Sequence, residues 1–240
     1  MKFIGIIPAR YASTRFPGKP LALIHGKPMI RMVYEHVCEA GLDLVAVATD
    51  DERIAECVRN FGGQVVMTRP DHPSGTDRCG EAAALLQLDD EDILVNIQGD
   101  EPGICATEIS LLTGLFARPE VHIATLVRPF TNPEEAANPN KVKAVLARDG
   151  KALYFSRLPV PYRRDGNCPP PTYHQHLGIY AYRHETLKQL LLLPPSSLEN
   201  TEKLEQLRWI ENGYDIYTAP CDYHGIGIDT PEDLQRFNTL

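Results

Sequence analysis

Ile7-Pro8-Ala9-Arg10-Tyr11-Ala12-Ser13-Thr14-Arg15-Phe16-Pro17-Gly18-Lys19-Pro20 follows directly on the apolar run Phe3 to Ile7 and carries three cations in a short loop. The run has the length and β-branched content of a buried strand, and Pro8, which lacks a backbone donor, is expected to end it. Arg10, Arg15 and Lys19 are thereby placed at the carboxyl end of a strand, which is where open α/β sheets bind ligands. Arg forks and a Lys point charge suit phosphate oxygens. The alternative is a solvated basic loop. Gly18-Lys19 and Gly26-Lys27 are each followed by Pro where a Walker loop needs Ser or Thr. No G-x-G-x-x-G opens this first unit either. Phosphate is therefore to be gripped more by side chains than by a glycine cradle.

Outward from this loop the pattern alternates. Met29, Met32, Val33, Val37 and Ala40 have a helical period that stops at Gly41. Leu44 to Ala48 reads as a second buried strand, Asp51 to Phe61 as a helix, and Gln64 to Met67 as a third strand. Ser74-Gly75-Thr76 opens a helix running through Leu88, Ile93 to Ile97 is a fourth strand, and Ala106 to Phe116 and Ile123 to Val127 continue as helix and strand. A βαβα succession implies an α/β fold with a parallel sheet. Lys143 to Leu146 and Ala152 to Phe155 depart from it, reading as a hairpin about Asp149-Gly150, so a small antiparallel insertion is expected at about 141–183. Ser156 to Tyr173 holds five prolines and reads as a long irregular loop. Leu187 to Leu193 is a helix end stopped by Pro194-Pro195, Ser197 to Asn212 one helix closed by Gly213, and Asp215 to Ala219 a strand. Thr230, Pro231 and Asp233 start a last helix. With no internal repeat and no composition shift, a single domain over 1–240 is expected.

The net charge of -8 argues against a general nucleic-acid binder, whose footprint is a basic surface. The cations are local, so a small ligand is expected. Six dispersed cysteines form no C-x-x-C pair and read as reduced thiols. No signal-peptide pattern and no membrane-spanning apolar run is present, so a cytoplasmic protein without a membrane partner is expected.

Acids at strand ends are the other candidates. Gln98-Gly99-Asp100-Glu101-Pro102 follows the fourth strand. Phosphoryl and nucleotidyl transfer need a divalent cation, and Mg²⁺ typically takes one or two carboxylates with substrate oxygens and water, so Asp100 is the first metal-ligand candidate; a capped β-turn is the alternative. Asp50 and Asp51 are better read as helix N-capping acids. Ser74 and Gly75 offer a hydroxyl and backbone amides at a helix start, which suits an anion or an ordinary cap. His176 and Tyr180 share one face of an alternating run while Leu177, Ile179 and Ala181 share the other, which suits either a pocket wall or a packed aromatic face.

The motif IIPARYASTRFPGKPL, together with VATDDERI (47–54), GGQVVMTRPDHPSGTDR (62–78), VNIQGDEP (95–102), ALYFSR (152–157), HLGIYAYR (176–183), LEQLR (204–208) and GIDTPEDL (227–234), resembles the sugar-acid cytidylyltransferases over nearly the whole chain. The resemblance implies a Rossmann-like nucleotidyltransferase fold, a homodimer, and transfer of CMP from CTP to a sugar acid, with 3-deoxy-manno-octulosonate (Kdo) as the expected acceptor. It implies that Pro8, Ala9, Arg10, Arg15, Lys19, Ser74, Gly75, Arg78 and Gln98 bind the nucleotide. It further implies that Arg157, His176, Tyr180, Glu205 and Gln206 bind the sugar acid, and that Asp100 and Asp229 hold Mg²⁺. Alternatives that stay open are an 8-amino-Kdo or sialic acid acceptor and a non-catalytic CTP-binding module. Sugar-1-phosphate uridylyl- and thymidylyltransferases carry a Gly-rich first loop that this chain lacks.

Overall fold

A strand whose residues are apolar on both faces belongs inside a parallel sheet, and Ile4, Ile6 and Ile7 are buried in just that setting. The computed structural model describes residues 1–12, 15–164, 172–223, 225 and 227–239. In chain order its elements begin with β1 (Phe3–Ala9), the short hairpin β2 (Leu23–Ile24) and β3 (Lys27–Pro28), α1 (Met29–Cys38), β4 (Leu44–Thr49), α2 (Glu52–Asn60), β5 (Gln64–Met67), α3 (Gly75–Leu85), β6 (Ile93–Asn96) and α4 (Ala106–Gly114). They continue with β7 (Ile123–Pro129), β8 (Lys143–Leu146), β9 (Ala152–Ser156), β10 (His174–Arg183), α5 (His184–Leu190), α6 (Ser197–Glu202), α7 (Gln206–Glu211), β11 (Tyr217–Pro220) and α8 (Pro231–Phe237). The result is an α/β fold with a mainly parallel sheet flanked by helices and an antiparallel group at β8 to β10. Among the described residues, no helix is long and apolar enough to cross a membrane.

The chain gathers into two compact units, each assembled from separate stretches: Met1–Ser110, Ala181–Leu191 and Tyr223–Leu240 form one, and Leu111–Tyr180 with Leu192–Asp222 the other. In the first, β6-β1-β4-β5 are adjacent and parallel, with Ile6 opposite Ala46 on one side and Asn96 on the other. Pro8 does not end β1, contrary to the expectation from its missing donor; the strand runs on to Ala9, paired with Thr49. The reason is register. Ile6 faces β6, since Ile97 N donates to its carbonyl, so Pro8, two residues on, turns its donorless nitrogen past Asn96, the last residue of β6 paired with β1. A second cluster in this unit joins Ile24, Met29 and Ile228, with Phe16, Leu234 and Phe237 packed against it. That apolar contact ties the loop before α8 to the basic loop after β1.

In the second unit β11 and β7 are parallel, β10 lies beside β7, and β8 is antiparallel to both β10 and β9. The hairpin expected at Asp149-Gly150 is present, Gly150 taking φ +86°. The single helix expected over Ser197 to Asn212 is instead two, α6 and α7, broken at Lys203, whose φ of 53° and ψ of 49° are left-handed. Arg157 causes the break to persist. Its Nε takes the carbonyl of Glu202 at 2.6 Å and one terminal nitrogen that of Lys203 at 3.2 Å, while the Glu202 carboxylate accepts from Ser156 Oγ and Arg157 N. Carbonyls that would extend the helical ladder are thereby committed to the side chain that follows β9. The Pro-rich segment lies partly outside the described residues, at 165–171.

Helix α8 starts in a capping box: Thr230 Oγ1 accepts from Asp233 N and the Asp233 carboxylate accepts from Thr230 N. Thr230→Ala is expected to cost about 1 kcal/mol, read as a lower denaturation midpoint, while a serine at 230 keeps most of it.

Candidate active site

Elements of the first unit bring their ends to one cleft of about 220 Å³. Strand β1 delivers Pro8 and Ala9; the loop after it delivers Arg10, Arg15 and Lys19; the start of α3 delivers Ser74, Gly75 and Arg78. Gln98 and Asp100 come from the loop after β6, and Asp229 from the residue before the α8 cap. Every residue expected at the nucleotide and metal therefore lines one wall or another of the same space. His72, Pro73 and Gly99 join them.

The centre is ionic. Lys19 Nζ donates to Asp100 Oδ2 at 2.7 Å and to Asp229 Oδ1 at 3.4 Å, and the two Arg15 terminal nitrogens fork onto Asp229 at 3.0 and 3.2 Å. Lys19 is only 14% exposed, so its charge is largely removed from water and leans on those acids. Sequence positions 100 and 229 meet because Ile228 N donates to the Asp100 carbonyl at 2.9 Å while the Ile228 side chain is buried in the small apolar cluster. Gly99 has a steric duty: a Cβ there would stand 3.1 Å from the Pro8 carbonyl.

Other residues have committed their polar atoms. The guanidinium of Arg78 is buried, within 3.0 Å of Asp50 Oδ1 and 2.5 Å from Thr68 Oγ1, so it stiffens the wall below Ser74. Ser74 is the N-cap of α3, its Oγ accepting from Asp77 N at 3.1 Å. Asp51 is an N-cap as well, accepting from Arg53 N. His72 was not singled out by sequence reasoning; its Nε2 lies 2.5 Å from Glu81 Oε2, an acid that also takes Arg69 N, and this pins the loop before α3. Glu101 was likewise passed over although it adjoins Asp100. Burial, reinforced by Asp100 and Asp229, pushes its carboxyl up to about 7 against the opposing hydrogen bond from Tyr223 Oη at 2.8 Å. A second acid in the motif was the available signal, but not its depth.

The residues expected at the sugar acid lie in the second unit. Arg157 donates to the carbonyls of Pro139, Glu202 and Lys203. The His176 ring sits edge-on to Phe155 at 4.9 Å and 5.3 Å from the Tyr180 ring, which in turn meets Trp209 at 5.2 Å. Thr125 Oγ1 has one proton, and the carbonyl of Ile179 at 2.7 Å is its nearest acceptor, so His176 Nε2, 3.1 Å away, carries hydrogen and donates to the hydroxyl. Gln206 is buried at the start of α7, next to Glu205 in the N-cap position.

A parallel α/β sheet that presents cations and Asp100 at its strand ends, with Asp229 brought beside them, defines an anion-binding α/β protein of the nucleotide-handling kind. The chain belongs to the cytidylyltransferase family, whose model matches residues 4–216. A 3-deoxy-manno-octulosonate cytidylyltransferase of Bacteroides thetaiotaomicron is 54% identical over 244 residues, spanning 98% of this chain and 96% of the relative. A solved CMP:2-keto-3-deoxy-manno-octonic acid synthetase complexed with CTP superposes with a TM-score of 0.94 at 44% identity, covering 100% of this chain and 98% of that one. A cytidylyltransferase from Leptospira borgpetersenii shares the fold, with a TM-score of 0.66 at 18% identity and coverage of 100% and 86%.

Burial drives His176 down to about 3 from its ordinary 6.5, so it is neutral in the folded protein at any pH near 7. The unfolded chain binds this proton below about 6.5 and the folded one only near 3, so stability attributable to His176 is complete above 6.5 and is lost as pH falls toward 3. His176→Gln is expected to flatten the wild-type decline between pH 6.5 and 4, a change of a few kcal/mol readable by denaturant titration at stepped pH.

Proposed function

We propose that this protein transfers CMP from CTP to the anomeric hydroxyl of Kdo, releasing pyrophosphate and supplying an activated sugar acid for lipopolysaccharide synthesis. The observation that carries the reading is the convergence of Arg10, Arg15 and Lys19 with Asp100 and Asp229 in one cleft, in a chain so similar to named cytidylyltransferases. Cations alone would suit binding; the paired acids suit turnover. The wider reading, carried by the resemblance, includes a cytoplasmic enzyme working as a homodimer.

Arg10, Arg15 and Lys19 hold the triphosphate and take up the charge that shifts onto the leaving pyrophosphate, a preorganised field in a partly dry site. Asp100 and Asp229 fit a magnesium ion: their oxygens already converge on a single cationic atom, Lys19 Nζ. Among the described residues no group of three or more His, Cys, Asp and Glu could hold a metal, whereas Mg²⁺ characteristically completes one or two carboxylates with phosphate oxygens and water. When bound, the ion would neutralise phosphate charge and lower the pKa of the attacking hydroxyl. As the triphosphate arrives, Lys19 and Arg15 exchange carboxylate for phosphate, leaving both acids available. Arg157 is the partner proposed for the sugar carboxylate, since His176 is neutral and can offer only hydrogen bonds. Tyr180, Glu205 and Gln206 complete that proposed set, while Pro8, Ala9, Ser74, Gly75, Arg78 and Gln98 shape the proposed nucleotide wall.

A pyrophosphate-release assay over CTP, UTP and ATP, each with Kdo, 8-amino-Kdo and sialic acid, tests the reading. Turnover is expected with CTP and Kdo. Binding of CTP without turnover on any sugar acid would overturn it in favour of a non-catalytic module.

Asp100→Asn and Asp229→Asn are each expected to lose on the order of 10²-fold or more in kcat. The double variant should be little worse than either, because groups acting on one ion are not additive. Near-normal turnover of Asp229→Asn at saturating Mg²⁺ would leave Asp229 as an ion-pair partner of Arg15 and Lys19 with no part in holding the metal.

A further inference from the structure

We propose that Arg53 is a positioning residue for the phosphate-gripping loop, acting through the ring of Tyr11; the inference rests on the cytidylyltransferase reading above. Arg53 lies on the first turn of α2 and is not among the residues lining the cleft. It faces a separate shallow groove with Arg31, Cys57 and Phe61. Asp51, the N-cap of the same helix, takes Arg53 Nε at 2.9 Å and a terminal nitrogen at 2.6 Å, a forked pair that removes the freedom of the long side chain. Held so, the guanidinium carbon stands 3.3 Å from the centre of the Tyr11 ring, face-on in the manner of a cation–π contact.

Tyr11 is the neck of the loop. Its carbonyl accepts from Gly18 N at 2.9 Å, and its ring lies so close over Gly18 that a Cβ there would meet Tyr11 Cε2 at 3.0 Å. Gly18 also takes φ +71°, a conformation side chains disfavour, so residue 18 has two reasons to be glycine. Arg10 precedes this neck by one residue and Lys19 follows it by one. Closing 11 onto 18 therefore sets the spacing of two of the three cations that grip phosphate, and Arg53 clamps the ring that closes it. Arg53 is 58% exposed and its ion pair adds little to global stability. Its effect falls on the loop: without the clamp, the cost of ordering the loop is transferred to ligand binding.

The test combines CTP calorimetry with hydrogen exchange at the Gly18 amide for wild type, Arg53→Ala, Arg53→Lys, Tyr11→Phe, Tyr11→Ala and the double Arg53→Ala/Tyr11→Ala variant. Arg53→Ala is expected to weaken CTP binding about two- to fivefold, to speed Gly18 exchange, and to leave the KM for Kdo and the unliganded Tm unchanged. Arg53→Lys, which keeps a cation but loses the fork to Asp51, should fall between. Tyr11→Phe should behave as wild type, and the double variant no worse than Tyr11→Ala. Wild-type CTP affinity in Arg53→Ala would overturn the proposal, and so would a double variant whose loss is the product of the single losses, since Arg53 would then touch phosphate on its own account. Failure of the wild type to bind CTP would sink the function reading instead; Gly18 exchange would still decide the clamp, with unchanged exchange in Arg53→Ala overturning it.

Discussion

A lysine ammonium shared by two carboxylates is the contact on which the site depends. Lys19, Asp100 and Asp229 carry net charge −1 among themselves, and Arg15 brings the set to neutrality. Leaving Lys19 without its acids would be costly, because the penalty of a largely desolvated charge is offset only by its partners, whereas Arg15 and Asp229 stay open to water. Four residues from three distant stretches are thereby locked to one another before any ligand arrives. The same pairing is reversible chemistry: phosphate oxygens can replace the acids as partners of the cations, and a divalent ion can replace the cations as partner of the acids.

The scaffold explains how such a set is assembled from positions 15, 19, 100 and 229. Parallel strands place their carboxyl ends on one edge, which accounts for residues 10 to 19 and 98 to 101. Asp229 needs another device, supplied by Ile228, whose backbone is bonded to Asp100 and whose side chain shares a core with Phe16 and Met29. The capping box then starts α8 immediately after the acid and keeps its carboxylate out of the cap. Glycine at 99 lets the β6 loop touch β1. Charge, apolar burial and backbone geometry all favour the same placement, which is the kind of agreement across levels that makes a site rigid.

Local chemistry was legible where one residue type answers one need. The caps at Asp51 and Thr230 are legible because each is a short polar side chain ahead of a helical period, and Ser74, open between an anion site and a cap, caps α3; Asp50, expected to cap beside Asp51, instead pairs with Arg78. The hairpin at Asp149-Gly150 was legible for a like reason. Errors arose where a distant group intervened. Pro8 continues a strand because the neighbouring strand has already ended, and the 197–212 helix breaks because Arg157, forty residues earlier, takes its carbonyls. Neither neighbour is visible in a local window.

By itself the sequence determined the alternation of strand and helix, the basic loop after the first strand and the acids after the fourth, since periodicity, caps and charge are properties of adjacent residues. Only the tertiary structure decided that Asp229 stands within reach of Lys19, that Glu101 is driven toward neutrality, that His176 is held uncharged among aromatic rings, and that Arg53 lies on Tyr11. These depend on burial and on distances between residues far apart in the chain, and desolvation is a property of an enclosed volume that no stretch of sequence possesses alone.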